Sequence, residues 1–227
     1  MPGFFQPVEE ISGIKPFEGF PVEFSRGSLS ALVSTDELAG SLFVHTLLSE
    51  ALRAGKAYHV GPKRAFSPSV LRALEVEPSN ILSANVYSAE ELLQALDYVE
   101  DDSTVLVSQF PTLRGISGEA LLELRRKADE GSLTIVLHHE TLTFNELDIP
   151  GEFSRLFRLP ELFDSLLVLR TSSYRGHYKM NVTVLRAPPE SVSAVGEHSI
   201  PVTELVRLIT GQGSRGSPRQ SERQGSS

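Results

Sequence analysis

The chain has 227 residues, which at about 150 residues per domain implies one domain with additional segments. Its 40% hydrophobic and 22% charged residues are globular proportions and exclude wholesale disorder; the net charge of -8 argues against a dedicated binder of the phosphate backbone. The absence of cysteine removes disulfides, thiolate zinc sites and cysteine nucleophiles, and with only two methionines the composition leans towards a thermophilic source.

In chain order, residues 1–25 read as a segment rich in Gly, Pro and Phe that wraps the core, with no apolar run suited to export. The core follows over 26–210. Short apolar runs at 29–33, 57–60, 81–86, 104–107 and 133–137 have the character of strands. The last two are nearly continuous in Val, Ile and Leu, as in strands covered on both faces.

Helical patterns fall between these runs. Leu42–Arg53 carries an apolar side, and Ser67-Pro68 starts a second helix with a cap and a first-position proline. Ser88 and Glu91 form a capping box, and Ser117 opens a helix that Gly131 ends. Alternating strands and helices imply an α/β fold with a mostly parallel sheet covered on both sides. Beyond Pro160 the runs 165–169 and 178–185 flank a turn-rich link and predict an antiparallel hairpin, before a final helix from Pro201 through Ile209. Residues 211–227 have no aliphatic or aromatic residue and are expected to be disordered. Arg215, Arg219 and Arg223 against Glu222 make that tail +2, leaving -10 on residues 1–210. No stretch reaches the length of a membrane span, so the expectation is a soluble, cytoplasmic protein.

Ligands of doubly wound folds bind where strands end and helices begin. The first such junction reads Ser34-Thr-Asp-Glu-Leu-Ala39-Gly40-Ser41, in the slot where a phosphate loop would place its glycines, lysine and hydroxyl. Only Ser41 fits that pattern, and Asp36 and Glu37 add negative charge that repels a triphosphate.

The run from Arg26 to Leu113 nevertheless resembles the core of the RecA/RadA recombinase and KaiC-like ATPase superfamily. RGSLSALVS is similar to the strand that leads into its Walker A loop, and STVLVSQF to its Walker B strand. LTIVLHHETL is similar to the next strand, and FDSLLVLRTSSYRGHYKMNVTVLRAP to the C-terminal hairpin, so the likeness spans about residues 19–188. It implies a RecA-like twisted sheet with a degenerate nucleotide loop at Ser34, Ala39, Gly40 and Ser41. The phosphate lysine falls on Gly40, the water-polarising glutamate on Lys63 and the Walker B aspartate on Ser108. Those changes remove the clamp, the base and the metal support that phosphoryl transfer requires.

The resemblance thus implies a chain without ATP hydrolysis or a cofactor of its own. The expected role is that of an accessory or regulatory subunit in DNA recombination or repair, with an active recombinase as partner. A second expectation is an ATPase-dead ring subunit that organises an RNA- or tRNA-modifying complex, as in Elongator. A third is a metal-dependent enzyme at the sheet edge: His138 and Glu140 fall on one side of a strand, His139 on the other, and no third ligand is evident.

Nucleic-acid contacts are expected at Arg170, Arg175, Lys179 and Arg186, with Tyr174 and Tyr178 interleaved and no acidic residue between them. On an acidic body such contact with single- or double-stranded DNA is expected to be weak. The segment 141–163 is net acidic; its Phe144, Phe153, Leu156, Phe157 and Leu159 either cover the sheet end or meet a protein neighbour.

Overall fold

The computed structural model describes residues 13–211; the first twelve residues of the expected wrapping segment and nearly all of the expected tail lie outside that range. Eight strands form one sheet: β1 (Leu29–Ser34), β2 (Ala57–Gly61), β3 (Ile81–Asn85), β4 (Thr104–Ser108), β5 (Thr134–Glu140), β6 (Ser165–Tyr174), β7 (His177–Arg186) and β8 (Gly196–Pro201). Their order is β3-β2-β4-β5-β1-β6-β7-β8. The pairings from β3 through to β6 are parallel, whereas β7 runs antiparallel to both β6 and β8. The protein is therefore α/β, with a mostly parallel sheet and a C-terminal antiparallel extension.

Among the described residues six helices accompany the sheet: α1 (Glu37–Ala54), α2 (Pro68–Ala73), α3 (Ala89–Leu96), α4 (Gly118–Glu130), α5 (Ile149–Phe157) and α6 (Thr203–Thr210). The sequence signals at Ser88 and Ser117 act as expected, since each side chain accepts from the amide three residues on. Helix α1 begins at Glu37, five residues before the apolar pattern at Leu42, because Asp36 caps it. Two elements were not expected. Helix α5 starts with Ile149, Pro150 and Gly151, which reads as a loop until Asp148 is recognised as its cap. Strand β8 buries only Ile200, so no alternation marks it, and the final helix starts two residues later than Pro201.

Alternation along the strands divides the core in two. Leu32, Leu106, Val136 and Leu167 face α1, where Leu42, Phe43, Leu47 and Leu48 are buried. Phe17, Phe20, Val22 and Phe24 fold over this same layer, tied by a two-way bridge between Ile14 and Phe24. Ala31, Val33, Val105, Val107, Ile135 and Leu137 face the other way, towards Leu92, Leu121, Leu124 and Phe157. Phe153, Leu156 and Phe157 are buried there and Phe144 meets the Phe153 ring edge-on, so the aromatic segment covers the sheet end. Among the described residues no helix is long and apolar enough to cross a membrane.

Leu106 is fully buried at the centre of the sheet, whereas Leu122 on α4 is 54% exposed. Leu106→Ala is expected to lower the unfolding free energy by about 2–5 kcal/mol, and Leu122→Ala by less than about 0.5. Urea denaturation of both variants measures the contrast.

Candidate functional site

The carboxyl ends of β1, β2, β4 and β5 meet the start of α1 in a cleft of about 360 Å³. Its lining includes Glu37, Gly40, Ser41, Lys63, Ser108 and Glu140. The period of two that sorts the apolar core also decides which polar groups arrive here. Ser34, His59, Ser108, His138 and Glu140 follow the strand positions that face α1, whereas His139 follows those that face away.

The turn from β1 to α1 consists of only Thr35 and Asp36. Ala39, Gly40 and Ser41, aligned above with a phosphate loop, are helical residues of α1. An anion does sit at this helix start, and it belongs to the protein. Asp36 Oδ1 accepts the Ala39 amide at 2.8 Å and the Thr171 hydroxyl at 2.7 Å, and Oδ2 accepts the Thr171 amide at 2.7 Å. A carboxylate there satisfies an orphan amide and the positive end of the helix, which is what a bound phosphate would otherwise do.

Gly40 has a steric reason as well. A Cβ at this position would lie 2.7 Å from Glu140 Oε2, so a lysine side chain would start against a carboxylate oxygen. Burial and the charges of Glu37 and Asp36 push the Glu140 carboxyl above its ordinary range, while Lys63 pulls it back. At position 63 the cleft holds an exposed cation, opposite in sign to Glu37 and Glu140.

Ser108 is buried at the end of β4, its Oγ 3.0 Å from His59 Nε2, and His59 Nδ1 lies 3.1 Å from Ser83 Oγ. Its side chain rests on Gly61, where a Cβ would collide with it. Beside it, His138 Nε2 lies 2.9 Å from Ser34 Oγ, with its Nδ1 buried and without a protein partner. Desolvation dominates both rings. It pulls the pKa of His59 down to about 4, helped by Arg64, and that of His138 to about 3, helped by the neighbouring His139 and His59. His45 is also held neutral by burial. It donates through Nδ1 to the Ser41 carbonyl and accepts the Ser67 amide at Nε2, at 2.6 and 2.8 Å, which joins α1 to the loop after β2.

His139, on the opposite face, lies 2.7 Å through Nδ1 from Gln109 Oε1; burial and Arg155 lower its pKa to about 4. Gln109 itself has φ 55°, a left-handed conformation that is costly for a side chain with a Cβ, at the very end of β4. Nothing in the local sequence announces it. His138 and Glu140 do share the cleft, yet among the described residues no group of three or more His, Asp or Glu is placed to hold a metal ion. The chemistry available is therefore a set of neutral Ser–His hydrogen bonds beneath a rim of mixed charge. No buried acid backs His138, so its pairing with Ser34 lacks the orienting group that an activated nucleophile requires.

The four basic residues singled out on the hairpin lie apart. Arg170 pairs with Glu146 at 3.2 Å, and Arg186 donates to the carbonyls of Pro160 and Phe163 at 2.9 and 3.1 Å. Arg175 and Lys179 lie at the outer end, exposed. The sequence matches no protein-family model and no curated protein.

Two predictions test this geometry. Asp36→Ala removes the bond that caps α1 and two that join it to β6, and is expected to cost about 1–3 kcal/mol in urea denaturation. The buried histidines give a pH dependence. Below about pH 6.5 the unfolded chain takes up protons that His59 and His138 refuse until about pH 4 and 3. Stability should therefore fall with acidity below pH 6.5, by about 0.7 kcal/mol per pH unit at pH 6.5 and approaching about 1.4 by pH 5, for each ring. His59→Gln should reduce that slope by about one proton; an unchanged slope would show that His59 is not held neutral.

Proposed function

We propose that the protein is a non-catalytic RecA/RadA-like paralogue, an accessory or regulatory subunit in DNA recombination or repair that works through another protein. The observation that carries this reading is the Asp36 carboxylate seated on the first turn of α1 and on Thr171. It fills, with the protein's own charge, the position where this type of strand–helix junction receives phosphate.

The arrangement around it supports the same reading. The strands that resemble those of the Walker A loop, the Walker B motif and the strand after it are β1, β4 and β5, and they adjoin at the centre of the sheet in the order β4-β5-β1. Each position where that superfamily needs a catalytic group has a different chemistry: a helix glycine against Glu140, an exposed lysine, and a serine buried against His59. A scaffold kept in this form without hydrolysis serves as a surface for a partner.

Purified protein is expected to hydrolyse ATP no faster than its Ser41→Ala variant and to leave the fluorescence of a labelled ATP analogue unchanged. Native co-purification followed by mass spectrometry is expected to recover an active recombinase. Turnover above the control would refute the loss of catalysis, and recovery of a tRNA-modifying complex would replace the recombination role with the ring-subunit reading.

A further inference from the structure

The outer half of the β6–β7 ribbon has a different character from the rest of the surface. Residues directly opposite one another in an antiparallel pair share a face. The register therefore puts Arg170 with Asn181, Ser172 with Lys179 and Tyr174 with His177 on one side. Thr171 with Met180 and Ser173 with Tyr178 fall on the other, where Met180 is buried and Tyr178 packs against the α1 layer. The two tyrosines that interleave the basic residues thus have different roles: Tyr178 anchors the ribbon, and Tyr174 is 69% exposed.

At the tip, Arg175 and Gly176 make a two-residue turn with φ of 50° and 79°. Such a turn favours Asn-Gly, and an arginine at its first position carries a backbone cost. What the arginine gains is its place over the Tyr174 ring, 5.0 Å from the centroid. The guanidinium thereby covers one face of a ring whose other face is left for a ligand, with Lys179 two pairs inward on the same side of the ribbon and no carboxylate in the sequence from Ser172 to Lys179. Toward the base the acids are engaged: Glu146 by Arg170, Asp36 by Thr171 and Ala39, and Glu204 by Arg207, while Glu197 lies opposite Thr183 in β8.

We infer that this face binds single-stranded nucleic acid, with an unpaired base stacked on Tyr174 and the adjoining phosphates met by Arg175 and Lys179. Single strands fit because the ring needs an unpaired base, while the two cations suit phosphates in any sequence. The inference stands apart from the loss of ATP hydrolysis, and gives the proposed accessory role a nucleic-acid contact.

The test is fluorescence anisotropy of the full-length protein at low salt. Its probes are a 5′-labelled oligothymidylate, the oligouridylate of equal length and a duplex of equal length. Weak binding of a single strand is expected, preferred over the duplex by at least about fivefold, with a log–log salt slope near -1.4 for two phosphate contacts. Tyr174→Ala is expected to weaken it about tenfold, and Lys179→Ala to reduce the slope by about 0.7. Thermal melting of both variants verifies that they fold. Replacing Arg215, Arg219 and Arg223 together by serine is expected to leave the Tyr174 effect in place. Equal affinity for duplex, no response to Tyr174→Ala, or loss of binding only with the tail substitutions would each overturn the inference. Any of those results would leave the co-purification test of the accessory role untouched.

Discussion

The Asp36 carboxylate ties three elements together at one point: the end of β1, the first turn of α1 and the middle of β6. Four amide groups at the start of any helix lack internal partners, and the cheapest remedy is a short side chain immediately before it. Here the remedy also reaches across to Thr171, so the same oxygen pair fixes the helix against the neighbouring strand. The two-residue turn and the early start of α1 follow from it. So does the position of Gly40, which brings the helix close enough to Glu140 that any side chain there would have to move its carboxylate aside.

Beneath that junction the sheet end is polar but uncharged. His59 and His138 each bond a buried serine, and desolvation keeps both neutral well below neutral pH. Neutral pairs suit a layer that continues directly into Leu106, Val136 and Phe43, because a buried charge would need a partner that this layer does not contain. Charge is confined to the rim, in Glu37, Lys63, Arg64 and Glu140. The strand ends themselves are held by hydrogen bonds between neutral groups.

Much of this was legible in the amino-acid order. Strands β1, β2, β4 and β5 and helices α3 and α4 announce themselves through apolar runs and through Ser caps, because burial on both sheet faces and orphan amides leave direct traces in composition. The separation of His138 from His139 likewise follows from strand alternation. The early start of α1 was hidden, since Asp36 and Glu37 read equally well as a degraded loop. Arg170 and Arg186 look identical to Arg175 and Lys179 in sequence; only the distances to Glu146 and to the Pro160 carbonyl distinguish an arginine that braces the fold from one that is free to meet solvent. Long-range pairing of that sort has no local signature.

The packing around Gly40 also bears on how such a cleft can change. Installing the residues of a phosphate site one at a time disturbs a different contact at each step. A lysine at 40 strikes Glu140; an aspartate at 108 must displace the contact with Gly61 and leave His59 beside a buried charge; a glutamate at 63 joins Glu37 and Glu140 as a third acid on the rim. These three contacts differ in kind, so a phosphate site could not be built here by one substitution: position 40 needs Glu140 to move, position 108 disturbs His59, and position 63 changes the charge of the rim.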